Sequence, residues 1–510
     1  MKRFLLAHDL GTSGNKASVY TIEGEFIKSL VYPYNTRYFN DVWVEQNPND
    51  WWDAVKNTTR EFLKTIPADE IAAVSFSGQM MGCLCVDKNG TPLKDSIIWA
   101  DMRSTTEAKE IEDKLGGEEF YGITGHRISS SYSLSKLMWI KKHEPDIYRQ
   151  TYKMLNAKDY VILKLTGKFA TEYSDASGTN AFNLNTFEWS DPILEAAGID
   201  KAKLPDLYAS THVIGGVTRE AAACTGLAEG TPVVMGGGDG MCASVGAGCI
   251  REGVAYNYLG SSSWISISTK KPLLDKKMRT FNWAHIVPGY IAPCGTMQCA
   301  GGSYSWLKEN ICLYEADIAK KTGENVYELI NREAEQSPAG ANGVLYLPYL
   351  IGERSPRWNP SARGAFLGLK MENNHADICR SVMEGVILNL GVILSIFQGF
   401  TPLNDMTVIG GGGKGRVWLR IMADVYGLPI KKPNRLEEAT SIGAAVTAGV
   451  GVGALSGFDS IGNFIQIEET IEPMPKNSER YEKSKRLFEA CYEALEPVFP
   501  LFQSSAGTGV

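Results

Sequence analysis

Two distant segments of this chain spell the same local structure, and that repetition limits the fold more than any other feature. Phe4 to Gly14 reads as an apolar strand running into a turn of glycines and hydroxyls, followed by a second strand over Lys16 to Tyr20. Val254 to Ser263 repeats the plan, with Gly260 and three serines at the turn and a second strand over Trp264 to Ser268. Each reads as a β-hairpin with a polar tip. At 510 residues the chain is too long for a single core. Short apolar strands alternate with amphipathic helices throughout, which predicts α/β domains. One hairpin opening each half predicts a duplicated domain, residues 1–251 and 252–500, with the two polar turns facing each other across a cleft.

Composition removes several function classes. A net charge of -7 with no long basic run argues against binding to nucleic acid, which needs clustered cations to displace counterions. The ten cysteines are scattered, Cys83 and Cys85 being the only close pair, and the six histidines are isolated. Such spacing predicts neither a zinc site nor a disulfide framework, and points to reduced thiols in a cytoplasmic protein. Too few apolar residues separate Lys2 and Arg3 from Asp9 for a signal-peptide core. The uncharged stretch Gly385 to Asn404 contains Asn389, Gln398 and Pro402, and reads as a buried helix. Ala439 to Phe458 is diluted by glycine and alanine, so no membrane span is expected. Ser504 to Val510 reads as a polar tail with no evident role.

The glycine-rich turns carry the chemistry. In Asp9 to Gly14, the glycines let successive amides point one way while Thr12 and Ser13 add hydroxyl donors, a concavity suited to phosphate oxygens. Asp9, at the strand end, could hold Mg²⁺ through water. The same residues also suit an ordinary hairpin turn. The second turn, Gly260, Ser261, Ser262 and Ser263, repeats both readings. Gly410 to Gly413 follows a strand over Met406 to Ile409 and precedes an apolar helix over Val417 to Tyr426. That is the order in which a nucleotide lies against backbone at a helix N-terminus. The spacing is not that of a Walker loop.

The most informative segment runs from Pro232 through Gly236, Gly237 and Gly238 to Asp239. A buried strand ends in three glycines, and an Asp opens a small-residue helix. As structure alone, Asp239 is a good N-cap. As chemistry, it is a carboxylate at a cleft mouth, placed to accept a proton from an attacking hydroxyl and kept ionised by the helix dipole.

With these motifs in hand, the chain resembles the FGGY carbohydrate kinases of the actin and Hsp70 superfamily, over Lys2 to about residue 500. The resemblance rests on Asp9 to Lys16, Trp43 to Gln46 with Pro48, Trp51 and Trp52, Ser131 to His143, Leu347 to Pro356, Gly364 to Leu369, and Asp377 to Glu384. It implies two ribonuclease-H-like domains flanking a deep cleft, the N-terminal one holding the sugar and the C-terminal one ATP. It implies further that Asp239 is the catalytic base and that Asp9 lies by the metal and the transferring phosphoryl group. Gly11, Thr12, Ser13, Gly260, Ser261 and Ser262 would line the phosphate path, and Gly411 and Gly412 the adenosine. Met80, Met81, Trp99, Asp101 and Gly240 would meet the sugar. Met81 and Trp99 equally suit core packing, and Lys136 a solvated helix charge.

The nearest flavour is that of the kinases of xylulose, whose members usually carry His where Met81 stands and Asn where Gly240 stands. Loss of two hydrogen-bonding groups weakens discrimination among acceptors. The expected function is therefore ATP-dependent phosphorylation of a ketopentose such as D-xylulose, with Mg²⁺, or of another ketose or polyol. A homodimer is compatible with that reading. From a different class, the same superfamily contains nucleotide-dependent binding or scaffold proteins.

Overall fold

The structure is a computed structural model that describes residues 2–505. Of the tail at 504–510, Ser504 and Ser505 close a helix, Phe499–Ser505, and 506–510 lie outside the described residues.

Each half of the chain is built on a seven-stranded mixed sheet. In the first, the central strand Phe4–Leu10 pairs antiparallel with Gly14–Thr21, which pairs antiparallel with Phe26–Pro33. On its other side it runs parallel to Ile71–Gly78, followed by Pro232–Val234 and the antiparallel edge Val213–Gly216. The short strand Gly237–Gly238 also pairs with Ile71–Gly78.

The second sheet repeats this plan. Ala255–Leu259 forms a hairpin with Ser263–Ile267 and lies parallel to Met406–Ile409, then Ile430–Pro433, then the antiparallel edge Ile467–Ile471. Ile291–Met297 and Phe281–Ala284 extend the hairpin side. The shared order explains why the two sequence segments look alike. Each central strand must be apolar on both faces, and its hairpin turn emerges at the sheet's end, where only small polar residues fit.

Local chemistry starts the helices. Asn47 caps Pro48–Phe62 by accepting from the Asn49 N–H at 3.0 Å, and Pro48 sits in the first turn, where no amide is needed. Asn374 and Asp377 form a reciprocal capping box at the head of His375–Gln398. Among the described residues this is the one helix long and apolar enough to cross a membrane, yet 78% of its most apolar window is buried. It is the core helix of the second half, as the sequence predicts.

The helix Ala439–Gly451 lies in sequence between two strands of the second sheet, Ile430–Pro433 and Ile467–Ile471, but packs on the first sheet, against Phe4–Leu10 and Ile71–Gly78. It also crosses the helix Asp239–Gly246 at glycines. A Cβ on Gly443 would stand 2.0 Å from the Cys242 carbonyl oxygen, and one on Gly246 only 1.9 Å from that of Ala439. Nothing but glycine permits this approach.

Candidate active site

Three hydrogen-bonded pairs fix the N-terminus of Ala439–Gly451 to the first sheet. Thr440 Oγ1 donates to Asp9 Oδ2 at 2.7 Å, Lys16 Nζ to Glu438 Oε1 at 3.0 Å, and the Tyr20 and Ser441 hydroxyls lie 2.9 Å apart. Asp9 Oδ1 accepts from Ser77 Oγ at 2.7 Å. Burial holds the Asp9 carboxyl above its ordinary pKa against the pull of those two hydroxyls and of Lys16.

Asp239 faces this arrangement. The backbone of Gly238 is extended and occupies the N-cap position, so Asp239 is the first residue of its helix and not the cap that the sequence suggests. Its Oδ1 accepts from the Gly240 N–H at 2.7 Å. Burial, reinforced by the negative charge of Asp9, pushes the carboxyl up to about 7. The expectation that the helix dipole keeps it fully ionised is therefore corrected. Desolvation and a like charge outweigh the dipole, which leaves a group poised to take up a proton near neutrality.

Asp239 lines a cavity of about 170 Å³ with Met80, Met81, Trp99, Gly240 and Met241 on one side. Ser262, Trp264, Phe281, Trp283, Cys294, Thr296 and Arg354 come from the other half of the chain. The floor is tight: a Cβ on Gly238 would stand 2.4 Å from Met80 Sδ. Trp99 Nε1 donates to Thr12 Oγ1 at 3.0 Å, which ties the cavity wall to the first polar turn. Met81 has a φ of +64°. Its carbonyl accepts from Lys136 Nζ at 2.8 Å, and Lys136 is fully buried, so the reading of a solvated charge is corrected. The Arg354 guanidinium makes no hydrogen bond or ion pair to another described residue.

A second cavity, of about 290 Å³, is lined by Gly260, Ser261, Gly411, Gly412 and Lys414, with Tyr304, Tyr327 and Trp418 as aromatic surface. The turn Gly260–Ser262 thus separates the two spaces. Gly260 and Ser261 face the second, whereas Ser262, expected with them, faces the first.

Gly11, Thr12 and Ser13 follow Asp9 and border neither cavity directly. Their turn is held by the Gly11 N–H on the Gly14 carbonyl at 3.0 Å, and by Thr36 and Gln46 donating to the Thr12 carbonyl. Asp101 does not join the site. It is wholly buried, with its carboxylate occupied by the Val44 N–H and by Arg103 Nε and Nη2 at 2.9 and 2.7 Å. The family resemblance places Asp101 at the sugar, but Arg103 two residues on claims the side chain.

The sequence reading missed Arg354 and the wall of Trp264, Phe281, Trp283, Cys294 and Thr296. The aromatic positions sit in apolar strands that look like core. Arg354 carries a signal, the one cation of the Leu347 to Pro356 segment.

By sequence, residues 4–246 match the N-terminal domain of the FGGY family of carbohydrate kinases, and residues 255–452 its C-terminal domain. The chain is 33% identical over 499 residues to a xylulose kinase of Staphylococcus epidermidis, covering 97% of each. It is 30% identical over 502 residues to a gluconokinase of Bacillus licheniformis, again covering 97% of each. By structure it resembles the ligand-bound xylulose kinase of Lactobacillus acidophilus, with a TM-score of 0.91 at 26% identity, covering 98% of this chain and 99% of that one. The gluconate kinase of the same organism gives the same values. Two cavities divided by a polar turn, on a duplicated α/β fold with this ancestry, make the chain a member of the FGGY family of carbohydrate kinases and an ATP-dependent sugar kinase.

Proposed function

We propose that Asp239 is the general base that takes the proton from an acceptor hydroxyl in the first cavity while ATP occupies the second. The observation that carries this reading is the Gly260–Ser262 turn. It borders both spaces, and Asp239 lines the first of them, so phosphorus and hydroxyl would meet beside a carboxyl poised near neutrality. Gly411 and Gly412 would support the adenosine against Tyr304 and Trp418. The turns of Gly11, Thr12, Ser13, Gly260 and Ser261 would donate hydrogen bonds to the phosphate oxygens.

Asp9 fits a divalent cation. It is half-buried, forms no ion pair with another described residue, and spends only two acceptor sites on hydroxyls. Mg²⁺ held there, partly through water, supplies neutralisation of charge on the terminal phosphates. Met80, Met81, Trp99 and Gly240 would hold the acceptor, and closure of the two halves would exclude water.

The proposed acceptor is a ketopentose such as D-xylulose, in line with the xylulose kinases among the relatives. One observation favours a second reading. The unpartnered Arg354, the one cation lining a mostly apolar cavity, suits a sugar acid, and gluconokinases stand among the relatives at similar identity. An ADP-release assay over pentuloses, hexuloses, polyols, glycerol and gluconate separates these. D-Xylulose no better than the others would end the ketopentose reading. Ten free cysteines, eight of them buried, support a cytoplasmic location.

A further inference from the structure

Outside the linings of both cavities, three side chains converge that no part of the phosphoryl-transfer chemistry uses, with a fourth, Glu315, beside one of them. Cys312 stands at the head of the helix Leu313–Thr322, and Glu315 follows three residues later. His375 opens the long core helix His375–Gln398, and Cys379 lies one turn on, on the same face. Cys312 Sγ and Cys379 Sγ are 3.5 Å apart. His375 Nε2 lies 3.7 Å from the first sulfur, 3.5 Å from the second and 3.2 Å from Glu315 Oε1. Both cysteines are fully buried and Glu315 is 8% exposed, and Glu315 Oε2 has no hydrogen-bond partner.

We infer that Cys312, His375 and Cys379 form three corners of a site for a zinc-like divalent transition ion, the fourth corner being left to water or to a Glu315 carboxylate turned in from beside His375. The geometry is the argument. Zinc binds thiolate at about 2.3 Å and imidazole or carboxylate at about 2.0–2.2 Å in a tetrahedron. The edges of that tetrahedron are then about 3.8 Å for sulfur to sulfur, about 3.6 Å for sulfur to nitrogen and about 3.3 Å for nitrogen to oxygen. The three separations among Cys312, Cys379 and His375 fall within a few tenths of an ångström of the first two values.

Two sulfurs with one imidazole select zinc over magnesium or calcium, which prefer oxygen. Binding displaces the two thiol protons, and no electron changes hands. A disulfide is the chemical rival, but the sulfurs stand well outside the bonded separation of about 2.05 Å. The sequence hides the site because Cys312 lies more than sixty residues before the His375 and Cys379 pair, which is spaced i,i+4 on another helix. The expectation that the cysteines build no zinc site is a consequence of reading spacing along one dimension.

The ion would be structural. Cys312 follows directly on the helix Gly301–Asn310, which carries Tyr304 into the wall of the second cavity. A bound ion would tie that wall to the core helix.

Elemental analysis of the full-length protein, dialysed against metal-free buffer, tests this. About one zinc per chain is expected. Cobalt exchanged for it should give the visible bands of a tetrahedral ion and a thiolate charge-transfer band. Cys379→Ser should remove both signals. His375→Ala, at a half-exposed position, should weaken cobalt binding at least about tenfold while the far-UV circular dichroism stays that of wild type. Folded wild-type protein with neither zinc nor a cobalt spectrum would overturn the inference. So would a native thiol count two short of ten with a matching loss of two hydrogens in mass.

Discussion

Lys136 Nζ sits 2.8 Å from the carbonyl oxygen of Met81, and Met81 is held at a φ of +64°, where an unbranched non-glycine residue is uncommon. The same ammonium reaches the Ser131 carbonyl. A fully buried lysine, its pKa pushed down to about 7 by burial, is an unusual anchor for a loop. Its position behind the cavity wall indicates that it fixes where Met81 points.

Lys136→Met should therefore raise the acceptor KM about tenfold while leaving the KM for ATP within about twofold, since only the first cavity changes shape. Steady-state kinetics with each substrate varied in turn would show it. An equal rise in both constants would mean general loosening and not a local one.

Asp239→Asn should abolish turnover and leave the fold intact. The wild-type enzyme should show kcat/KM rising with pH to a plateau, with its midpoint near 7, as the base loses its proton. The stability consequence has a definite sign. The folded-state pKa lies above the ordinary 3.8, so the native protein binds more protons than the unfolded chain between those values, and stability falls as pH rises through that window. The Asn variant is spared the loss. Its Tm should exceed wild type at pH ~8 by about 2–4 °C and converge with it near pH ~4. Calorimetry at the two pH values checks this, and an Asn variant less stable at pH ~8 would contradict the assignment.

Gly240 faces open space: a Cβ there would meet nothing within 4 Å. Gly240→Asn combined with Met81→His should place two hydrogen-bonding groups in the first cavity without a clash at residue 240. The double variant should favour D-xylulose over other ketoses and polyols by about tenfold more than wild type does, one net hydrogen bond being worth about 0.5–1.5 kcal/mol. Ratios of kcat/KM across the acceptor panel decide the matter. An unchanged ratio would remove both positions from acceptor recognition.

Arg354→Met should separate the two acceptor classes. If a carboxylate binds there, the variant should lose about a hundredfold in kcat/KM for gluconate while neutral sugars change by no more than a fewfold. Equal losses for both would make Arg354 a contributor to cavity shape and not a charge sensor.

Much of this was legible because the chemistry is local. The hairpins at Phe4–Thr21 and Ala255–Ile267 announce themselves through apolar strands and a polar glycine turn, and each forms from contiguous sequence. The run Gly236 to Gly238 before Asp239 is equally readable, since only glycine fits where Gly236 adopts a φ of +70° with its would-be Cβ 1.9 Å from the Phe76 carbonyl oxygen. What escaped depends on the folded assembly. Phe281 and Trp283 look like core until the other half of the chain leaves a gap beside them. Asp101 looks like a ligand until Arg103 folds back on it. Lys136 looks solvated because its helix carries other cations, Lys141 and Lys142, at its exposed end.

Where the helices Asp239–Gly246 and Ala439–Gly451 cross, main chain rests on main chain. At the crossing points only small residues meet, Gly443 on Cys242 and Gly246 on Ala439. The relief that fixes the angle is shallow there, so the contact can serve as a bearing about which the two lobes rock while their cores stay rigid. Asp239 and Thr440 head the two helices that meet there. Rotation about this point would therefore carry the base, the Asp9 carboxylate and the turn between the cavities through one coordinated motion, linking the jaw's closing to the alignment of the reacting groups.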